Sequence, residues 1–400
     1  MAYKCRAYPD PEQAAMLART FGCVRLVRNK TLAARHARYH TTGHSTSYRE
    51  TDASLTHWKK TEELSFLSEV SSVPLQQTLR HQHAAFSNYL SKRARYPRYK
   101  SRNGRQSAHY TRSAFRMRGG RLWLAKISKP IEFVWSSLDI DRTSLDPTMV
   151  IVSREPDGRY FVTFAVDSDA PDPLPNIGHT VGVDLGLKDF AVTSDGERIA
   201  NPRLLKRKER NLARYQRRMA RCQRGSNNRR KARCKVARAH RKVRNARQDF
   251  LHRASARLVR AADTIVVEDL NVAGMLRNRR LARAIADVGW AEFRRQLEYK
   301  CHRYGRTLIV VDRWYPSSKT CSSCGHLLSE LALSTRTWTC PTCRTPRDRD
   351  VNAAKNILAA GLAASACGGD VRHPESSRML SPMKQEVVPT ARFRAAQSRG

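Results

Sequence analysis

Two short apolar runs that each carry an acidic residue near their end constrain this fold more than any other feature. The first run, residues 180–186, contains Asp184 and precedes a second strand-like run and a Ser-Asp-Gly turn, which predicts a hairpin. The second run, residues 264–269, contains Glu268 and is β-branched and apolar, which predicts a central strand. Because ligands of open α/β sheets bind at the carboxyl ends of strands, both acids are candidates for a site at that edge.

Asp350 is the third acid of this set and stands at a predicted helix start. The residues after it form an apolar stripe at helical spacing, namely Ala353, Ala354, Ile357, Leu358 and Leu362,. Two acids at strand ends and one at a helix start can converge on a pair of Mg²⁺ ions roughly 3.5 to 4 Å apart, the arrangement that hydrolyses phosphodiesters. Carboxylates are the ligands that the hard Mg²⁺ ion prefers.

Two structural alternatives compete with this interpretation. An Asp at a helix start is most often an N-cap, and that alternative applies to Asp350. The Val-Gly-Val-Asp-Leu-Gly run around Asp184 also resembles the first phosphate hairpin of actin-like ATPases. Each alternative explains only one of the acids. The nuclease interpretation is favoured because it accounts for the order Asp, Glu, Asp and for the spacing of all three.

The segments around the acids predict an α/β fold with an RNase H-like core of the RuvC nuclease type. A long helical region to about Ala262 separates the first two acids. A helix follows the second, with Trp290, Phe293, Leu297, Cys301 and Tyr304 on one face, and a strand follows at residues 307–312,. The order Asp, Glu, Asp is that of RuvC-type nucleases, whereas integrase-type transposases usually have Asp, Asp, Glu.

Four cysteines between the second and third acids predict a metal site. Cys321, Cys324, Cys340 and Cys343 form a C-x2-C-x15-C-x2-C pattern, which is typical of one tetrahedral Zn²⁺ held by four thiolates. A closed site of this kind has no open position, so we expect this zinc to be structural. The remaining cysteines show no ligand spacing, and we interpret them as reduced, which is consistent with a cytosolic protein.

The charge of the chain predicts a polyanionic partner. Lys and Arg number 75 against 35 Asp and Glu, a formal net charge of +40. Between Arg203 and Arg260, 23 Lys or Arg residues face only Glu209 and Asp249. An ordinary solvated face mixes both signs, so this segment indicates a surface that binds nucleic acid. Within it, residues 225–228 interrupt the helical pattern and predict the tip of a helical hairpin.

The amino half predicts a separate unit, a small β-barrel interrupted by a helical insertion. Exposed aromatic and basic residues bind single strands and structured RNA by stacking and phosphate contact, and Tyr96, Arg98, Tyr99 and Lys100 are candidates. Gln76 and Gln77 on the second predicted helix are candidates for reading adenine in a DNA motif.

The carboxyl half and several amino-terminal segments resemble the transposon-encoded TnpB proteins, compact relatives of type V CRISPR nucleases. The resemblance rests on Cys321 to Gly325, Trp338, Cys340 to Cys343 and the run from Asp348 to Ile357, together with residues 8–13, 21–25, 29–32 and 96–101. Arg344 and Arg347 depart from the family, in which Gly and His are common at these positions.

The resemblance implies an RNA-guided DNA endonuclease whose guide RNA comes from the end of its own element and whose substrate is double-stranded DNA beside a short flanking motif. The catalytic acids would be Asp184, Glu268 and Asp350, with two Mg²⁺ ions. The implied domains are a β-barrel wedge (1–9 and 95–170), a helical recognition insertion (10–94), a RuvC-like nuclease (171–318 and 347–366), a zinc ribbon (319–346) and a disordered tail (367–400).

Two further classes of function remain as alternatives. One is an RNA-guided DNA-binding regulator that does not cleave, although the presence of all three acids disfavours it. The other is an actin-like ATPase, disfavoured because the sequence has no second Gly-rich phosphate hairpin. The sequence has no secretory signal and no apolar run long enough to span a membrane, so we expect a cytoplasmic protein associated with the nucleoid, either monomeric or homodimeric.

Overall fold

The computed structural model describes residues 1–135, 141–167, 172–332 and 334–366. The chain divides into two compact units, the first spanning Met1–Ser168 and the second beginning at Asp169. The predicted disordered tail, residues 367–400, lies outside the described residues. No helix in the described part of the chain is long and apolar enough to cross a membrane.

The amino-terminal unit begins with a strand, continues through a helical segment and returns to strands. Its elements in chain order are β1 (Ala2–Ala7), α1 (Pro11–Thr42), α2 (Tyr48–Trp58), a 3-10 helix (Glu62–Ser68), α3 (Ser72–Leu90), β2 (Gln106–Thr111), a second 3-10 turn (Arg112–Ala114), β3 (Phe115–Arg118), β4 (Arg121–Leu124), β5 (Phe133–Val134), β6 (Met149–Arg154) and β7 (Tyr160–Ala165). The main sheet has the order β2-β6-β7-β1-β5, and β3 and β4 form a separate hairpin. Among the described strands, β2 and β5 end this sheet without pairing with each other, so a closed barrel stays a prediction.

Helix α1 begins where its sequence predicts. The Asp10 side chain accepts a hydrogen bond from the backbone of Gln13 at 2.8 Å, and the Gln13 side chain accepts one from the backbone of Asp10 at 3.0 Å, which completes a capping box. The helix ends at Gly43, whose φ of 70° is readily adopted only by glycine,.

The carboxyl-terminal unit contains a mixed five-stranded sheet with helices on both faces. Its elements in chain order are β8 (Thr180–Leu185), β9 (Asp189–Thr193), β10 (Arg198–Ala200), α4 (Leu204–Arg221), α5 (Asn227–Ala261), β11 (Thr264–Glu268), α6 (Val272–Met275), α7 (Ala282–Val288), α8 (Trp290–Tyr304), β12 (Thr307–Val311), β13 (Thr337–Thr339), β14 (Pro346–Asp348) and α9 (Arg349–Ala366). The sheet order is β10-β9-β8-β11-β12. Strand β11 is parallel to both β8 and β12, whereas β9 and β10 are antiparallel to their neighbours.

The two faces of this sheet pack against different helices. Val181 and Val183 of β8 belong to a core that includes residues of α5 and α8. Val266 of β11 instead packs against Ile357 of α9. Because side chains alternate across a strand, the residues on either side of Val183, which are Gly182 and Asp184, lie on the α9 face.

The basic segment forms the predicted helical hairpin, α4 followed by α5. The connection, residues 222–226, begins and ends earlier than the predicted tip, because α4 ends at Arg221 and Asn227 already begins α5. The hydroxyl of Ser226 accepts a hydrogen bond from the backbone of Arg229 at 3.2 Å, which caps the helix,. Gly225 provides the turn with a φ of 86°.

Candidate functional site

Asp184 and Glu268 occupy equivalent positions on neighbouring parallel strands. Val183 of β8 pairs with Val267 of β11, so the next residues along the two strands are Asp184 and Glu268. Alternate residues of a strand share one face of the sheet, so Asp184 and Glu268 lie on the same face as Gly182 and Val266, which is the face that α9 covers. The structure therefore brings these two acids to the same face and the same edge of the sheet, as the sequence predicted.

Asp350 lies in the first turn of α9 but does not cap the helix. Asp348 provides the cap, because its Oδ1 atom accepts hydrogen bonds from the backbone of Asp350 at 3.1 Å and of Val351 at 3.0 Å. The carboxylate of Asp350 is therefore released from a structural capping role. The interpretation of Asp350 as an N-cap is therefore wrong, because Asp348, two positions earlier, caps the helix.

Electrostatics indicate that the three acids influence one another. Burial, together with the negative charges of Glu268 and Asp350, raises the pKa of Asp184 to about 7. Burial also raises the pKa of Glu268, against the effect of a hydrogen bond from Ser317. Carboxylates that are buried together resist ionisation, and a bound cation would remove this cost. The chemistry of this donor set fits Mg²⁺.

Two arginines approach Asp350 from outside the acid set. The Nη1 atoms of Arg198 and Arg336 lie 3.6 and 3.5 Å from its carboxylate oxygens. Arg198 also forms ion pairs with Asp189 at 3.0 Å and with Asp348 at 2.7 Å. These guanidinium groups partly neutralise the acid edge, and no motif in the sequence marks either arginine.

The three carboxylates do not converge as tightly as the cysteines do. Within the described residues, the four thiols are the one set of three or more His, Cys, Asp or Glu ligand atoms that all lie within 4.8 Å of one another. Repulsion among like charges keeps acids apart when no cation lies between them. The arginine contacts of Asp350 act in the same direction.

Ser317 connects Glu268 to the segment before the cysteines. Its hydroxyl donates a hydrogen bond to the carboxylate of Glu268. Its backbone carbonyl accepts one from the buried side chain of Asn356 at 2.7 Å. Asn352, one turn earlier on α9, donates to the carbonyl of Thr320 at 2.7 Å and accepts from the backbone of Ser322 at 2.9 Å. Helix α9 thus holds both the residue that orients Glu268 and the start of the first cysteine pair.

The four cysteines form a geometry suited to zinc. The Sγ atoms of Cys321 and Cys343 lie 3.6 Å apart, as do those of Cys324 and Cys340. Thiolates at about 2.3 Å from a tetrahedral Zn²⁺ ion are separated by roughly 3.8 Å, so the site fits this ion and forms a four-cysteine centre compatible with a zinc ribbon. Trp338 packs against Cys321 and Cys340 and shields the centre from one side.

The turn after each cysteine pair requires a left-handed backbone. Gly325 follows the first pair with a φ of 74°, and Arg344 follows the second with a φ of 56°. A side chain at such a φ is strained, by about 1–2 kcal/mol. The departure noted in the sequence at Arg344 therefore falls on a position where glycine would be favoured.

The predicted nucleic-acid contacts fall into two groups. Arg98, Tyr99 and Lys100 are exposed, and Tyr96 is 40% exposed with its ring against Phe86 and Tyr89. Gln77 is only 7% exposed, which contradicts its prediction as a base-reading residue, because it lies on the core side of α3. Gln76 is half-buried and keeps part of its side chain at the surface.

Three family models match this chain. A model described as "Probable transposase" (OrfB_IS605) matches residues 163–279, and one described as "Cas12f1-like, TNB domain" matches residues 290–357. A third, described as "Helix-turn-helix domain" (HTH_OrfB_IS605), matches residues 1–44. In the structure that last region consists of β1 and one uninterrupted helix, α1.

Similar proteins match almost the whole chain. A protein of Streptomyces pristinaespiralis named "Putative RNA-guided DNA endonuclease" is 53% identical over 96% of both chains. A protein of Escherichia coli K12 named "Putative RNA-guided DNA endonuclease InsQ" is 31% identical over 96% of both chains. The solved structure described as "Cryo-EM structure of the Cas12f1-sgRNA-target DNA complex" shares the fold with a TM-score of 0.55, at 15% identity, over 87% of this chain and 83% of the other.

Proposed function

The chain belongs to the TnpB family, and from this premise we propose that it is a transposon-encoded, RNA-guided DNA endonuclease that cuts target DNA beside a short flanking motif. One observation carries the proposal. Asp184 and Glu268 lie at the carboxyl ends of neighbouring parallel strands on one face of the sheet. The helix that packs on this face carries Asp350 in its first turn, and the carboxylate of Asp350 does not cap the helix.

The chemistry of the three acids supports magnesium-dependent hydrolysis in an RNase H-like, RuvC-type core. Asp184, Glu268 and Asp350 would hold two Mg²⁺ ions. When bound, such ions activate water and stabilise the charge of the phosphodiester and its leaving oxygen. The raised pKa of Asp184 supports this assignment, because perturbed acids cluster at functional sites.

The protein residues around the acids would orient the reacting groups. Ser317 holds one carboxylate oxygen of Glu268 by a hydrogen bond, which limits the rotation of that side chain. Arg198 and Arg336, which approach Asp350, provide positive charge beside the position where a phosphate would enter. Guanidinium groups bind phosphate oxygens well, so both are suited to hold the backbone of the strand that is cut.

The basic hairpin α4–α5 supports binding of a guide RNA derived from the end of the element and of its heteroduplex with DNA. Its arginines and lysines would contact the phosphate backbone, while base pairing supplies the sequence. A shallow groove on α5 is lined by His252, Arg253, Arg257 and Arg260. Tyr96, Arg98, Tyr99 and Lys100 would add stacking and phosphate contacts, and Gln76 alone of the two glutamines retains exposed surface for reading the flanking motif.

We propose that each domain predicted from the sequence has its own function. The wedge (1–9 and 95–170) and the recognition insertion (10–94) would grip nucleic acid, and the nuclease (171–318 and 347–366) would cut it. The ribbon (319–346) would carry one structural Zn²⁺. A DNA-acting protein of this charge is expected at the nucleoid.

The decisive experiment is cleavage of plasmid libraries by the protein purified with its accompanying RNA. We expect cutting that requires Mg²⁺, stops in EDTA and is lost in Asp184→Asn, while RNA binding persists. Tight binding of RNA and target without cutting by the wild-type protein would instead favour the non-cleaving regulator. Sequencing of the accompanying RNA would identify the guide in either case.

A further inference from the structure

Trp314 is the most exposed large apolar side chain among the residues that the structure describes. It is 84% exposed, whereas Trp290 and Trp338 are 3% and 9% exposed. The other tryptophans, Trp58, Trp123 and Trp135, are half-buried. A single exposed apolar residue is ordinary on a protein surface. The exposure of Trp314 therefore indicates a function only if the residue lies near the candidate site.

The loop that carries Trp314 is attached to the acid edge on both sides of the indole. Immediately before it, Arg313 forms an ion pair with Asp269, the residue that follows Glu268. Three residues after it, Ser317 donates its hydroxyl to Glu268 itself. The indole therefore lies in a short segment whose two ends contact consecutive residues at the end of β11.

Backbone hydrogen bonds make this loop compact. The backbone N–H of Trp314 donates to the side chain of Asp312 at 2.8 Å, and that of Tyr315 donates to the carbonyl of Asp312 at 3.2 Å. The N–H of Ser317 then donates to the carbonyl of Tyr315 at 2.8 Å. The backbone that carries the indole is therefore already ordered, so stacking of a ligand loses little free energy to ordering of the main chain.

We propose that Trp314 is a stacking site for an unpaired nucleobase of the DNA strand that is cut. This inference rests on the proposed nuclease function and names a contact through which the substrate strand is held at the acid edge. The charge of the chain favours a nucleic acid as the occupant, because its formal net charge is +40. Arg313, next to the indole, and Arg294 both pair with Asp269 at the end of β11 and place positive charge beside the loop.

The chemistry of stacking suits an enzyme whose target is chosen by a guide. Every base has a π face, so an indole holds a strand without selecting its sequence. Sequence choice would then remain with base pairing. A stacked base beside Glu268 would fix the adjoining phosphate near the acids and would keep the strand unpaired there.

The test compares Trp314→Ala and Trp314→Phe with Leu327→Ala, which removes another exposed apolar side chain, 55% exposed, from the cysteine insertion. The RNA-loaded protein is titrated in Mg²⁺-free buffer without a chelator, so that the structural zinc is retained, with a fluorescent single-stranded thymidine oligonucleotide. We expect Kd to rise about tenfold for Trp314→Ala, which corresponds to about 1.4 kcal/mol. Trp314→Phe should retain most of the affinity, and Leu327→Ala should not change it.

Thermal melting separates this role from a structural one. We expect the melting temperature of Trp314→Ala to equal that of the wild type, because the indole is exposed. An unchanged Kd for Trp314→Ala, or a loss of affinity that merely follows a lower melting temperature, would overturn the stacking site. A variant that binds DNA normally but loses RNA loading or self-association would also overturn it, in favour of a docking surface for another macromolecule.

Because binding is measured without Mg²⁺, its result is independent of cleavage. A wild type that binds the oligonucleotide through Trp314 but never cuts with Mg²⁺ would refute the nuclease and leave the stacking site standing. If the wild type cuts and Trp314→Ala equals it in both binding and cutting, the stacking site is refuted and the nuclease function stands.

Discussion

Gly182 of β8 lies directly beneath the carbonyl oxygen of Ala354 of α9: a Cβ atom at Gly182 would be 2.1 Å from that oxygen. A second close approach occurs where Gly361 of α9 meets Val266, with 2.4 Å between a virtual Cβ and Cγ1. The two glycines let the helix pack directly on the strands that carry Asp184 and Glu268. Asp350, one turn before Ala354, reaches the acid edge because of this contact.

We expect Gly182→Ala to destabilise the carboxyl-terminal unit and to reduce cleavage. The added methyl group must push α9 away from the sheet, which costs about 1–3 kcal/mol by analogy with overpacked cores. Calorimetric melting and cleavage rates measure the two effects. Gly22→Ala is the matched control, because Gly22 lies inside α1 with nothing within 4 Å of its virtual Cβ, and we expect it to stabilise by about 0.5–1 kcal/mol. A fully active and stable Gly182→Ala variant would refute the close-packing argument.

We expect Asp184→Asn to abolish cleavage and yet to stabilise the protein in Mg²⁺-free buffer. The pKa of Asp184 is raised to about 7 in the folded state, mainly by burial, so the folded protein retains a proton that the unfolded chain has released. Stability without Mg²⁺ should therefore fall as the pH rises from about 4 through 7, and this cost is fully present above that range.

The asparagine variant removes this charge and should gain about 1–3 kcal/mol at pH 8, since one pKa unit corresponds to about 1.4 kcal/mol. Urea denaturation across pH measures the slope. Asp195→Asn, at an exposed turn position, serves as the control and should change neither stability nor cleavage. Equal pH profiles for the wild type and Asp184→Asn would contradict the burial argument.

We expect Ser317→Ala to lower the cleavage rate about tenfold, since a hydrogen bond to a charged group contributes roughly 1.5–3 kcal/mol. Loss of the hydroxyl frees the carboxylate of Glu268 to rotate, so the Mg²⁺ concentration for half-maximal activity should rise and Mn²⁺ binding should weaken. Ser317→Thr retains the hydroxyl and should restore both values. Ser318→Ala, at the next position, is the control, and an equal loss there would show that only the loop backbone matters.

We expect Cys340→Ser to lower the yield of folded protein and its zinc content together. Binding of zinc by four thiolates contributes directly to folding free energy. Among the described residues of the insertion, Leu328 and Leu331 pack beside Trp338 and the cysteines, which is too little apolar surface to form a core without the metal. Elemental analysis should give one zinc per wild-type chain. Cys222→Ser, which changes a half-buried cysteine at the end of α4, should leave both yield and zinc unchanged. A stable but inactive Cys340→Ser protein would argue for a catalytic zinc.

We expect Arg344→Gly to strengthen the cysteine insertion. The φ of 56° at Arg344 strains any side chain, so glycine should stabilise the folded insertion by about 0.5–1 kcal/mol after its own entropic cost. Resistance of the bound zinc to a chelator measures this gain. Arg344→Ala retains a Cβ atom and should show no gain; a gain of equal size there would point to the charge rather than to the backbone.

Local sequence patterns predicted the elements of the carboxyl-terminal unit closely. The β-branched runs around Asp184 and Glu268 became β8 and β11, and the apolar stripe after Asp350 became α9, because alternation and helical spacing are properties of neighbouring residues. Patterns failed where several residues could play one role. The cap before α9 is Asp348 rather than Asp350, and Gln77 faces the core although Gln76 beside it does not.

The sequence by itself determined which side chains this protein can use: three acids, four thiols with zinc spacing and a large excess of positive charge. Only the tertiary structure decided how they meet, because contacts such as Ser317 with Glu268 or Arg198 with Asp350 join residues far apart in the chain. These contacts depend on the direct packing of α9 over Gly182, where the absence of one side chain sets the distance between helix and sheet.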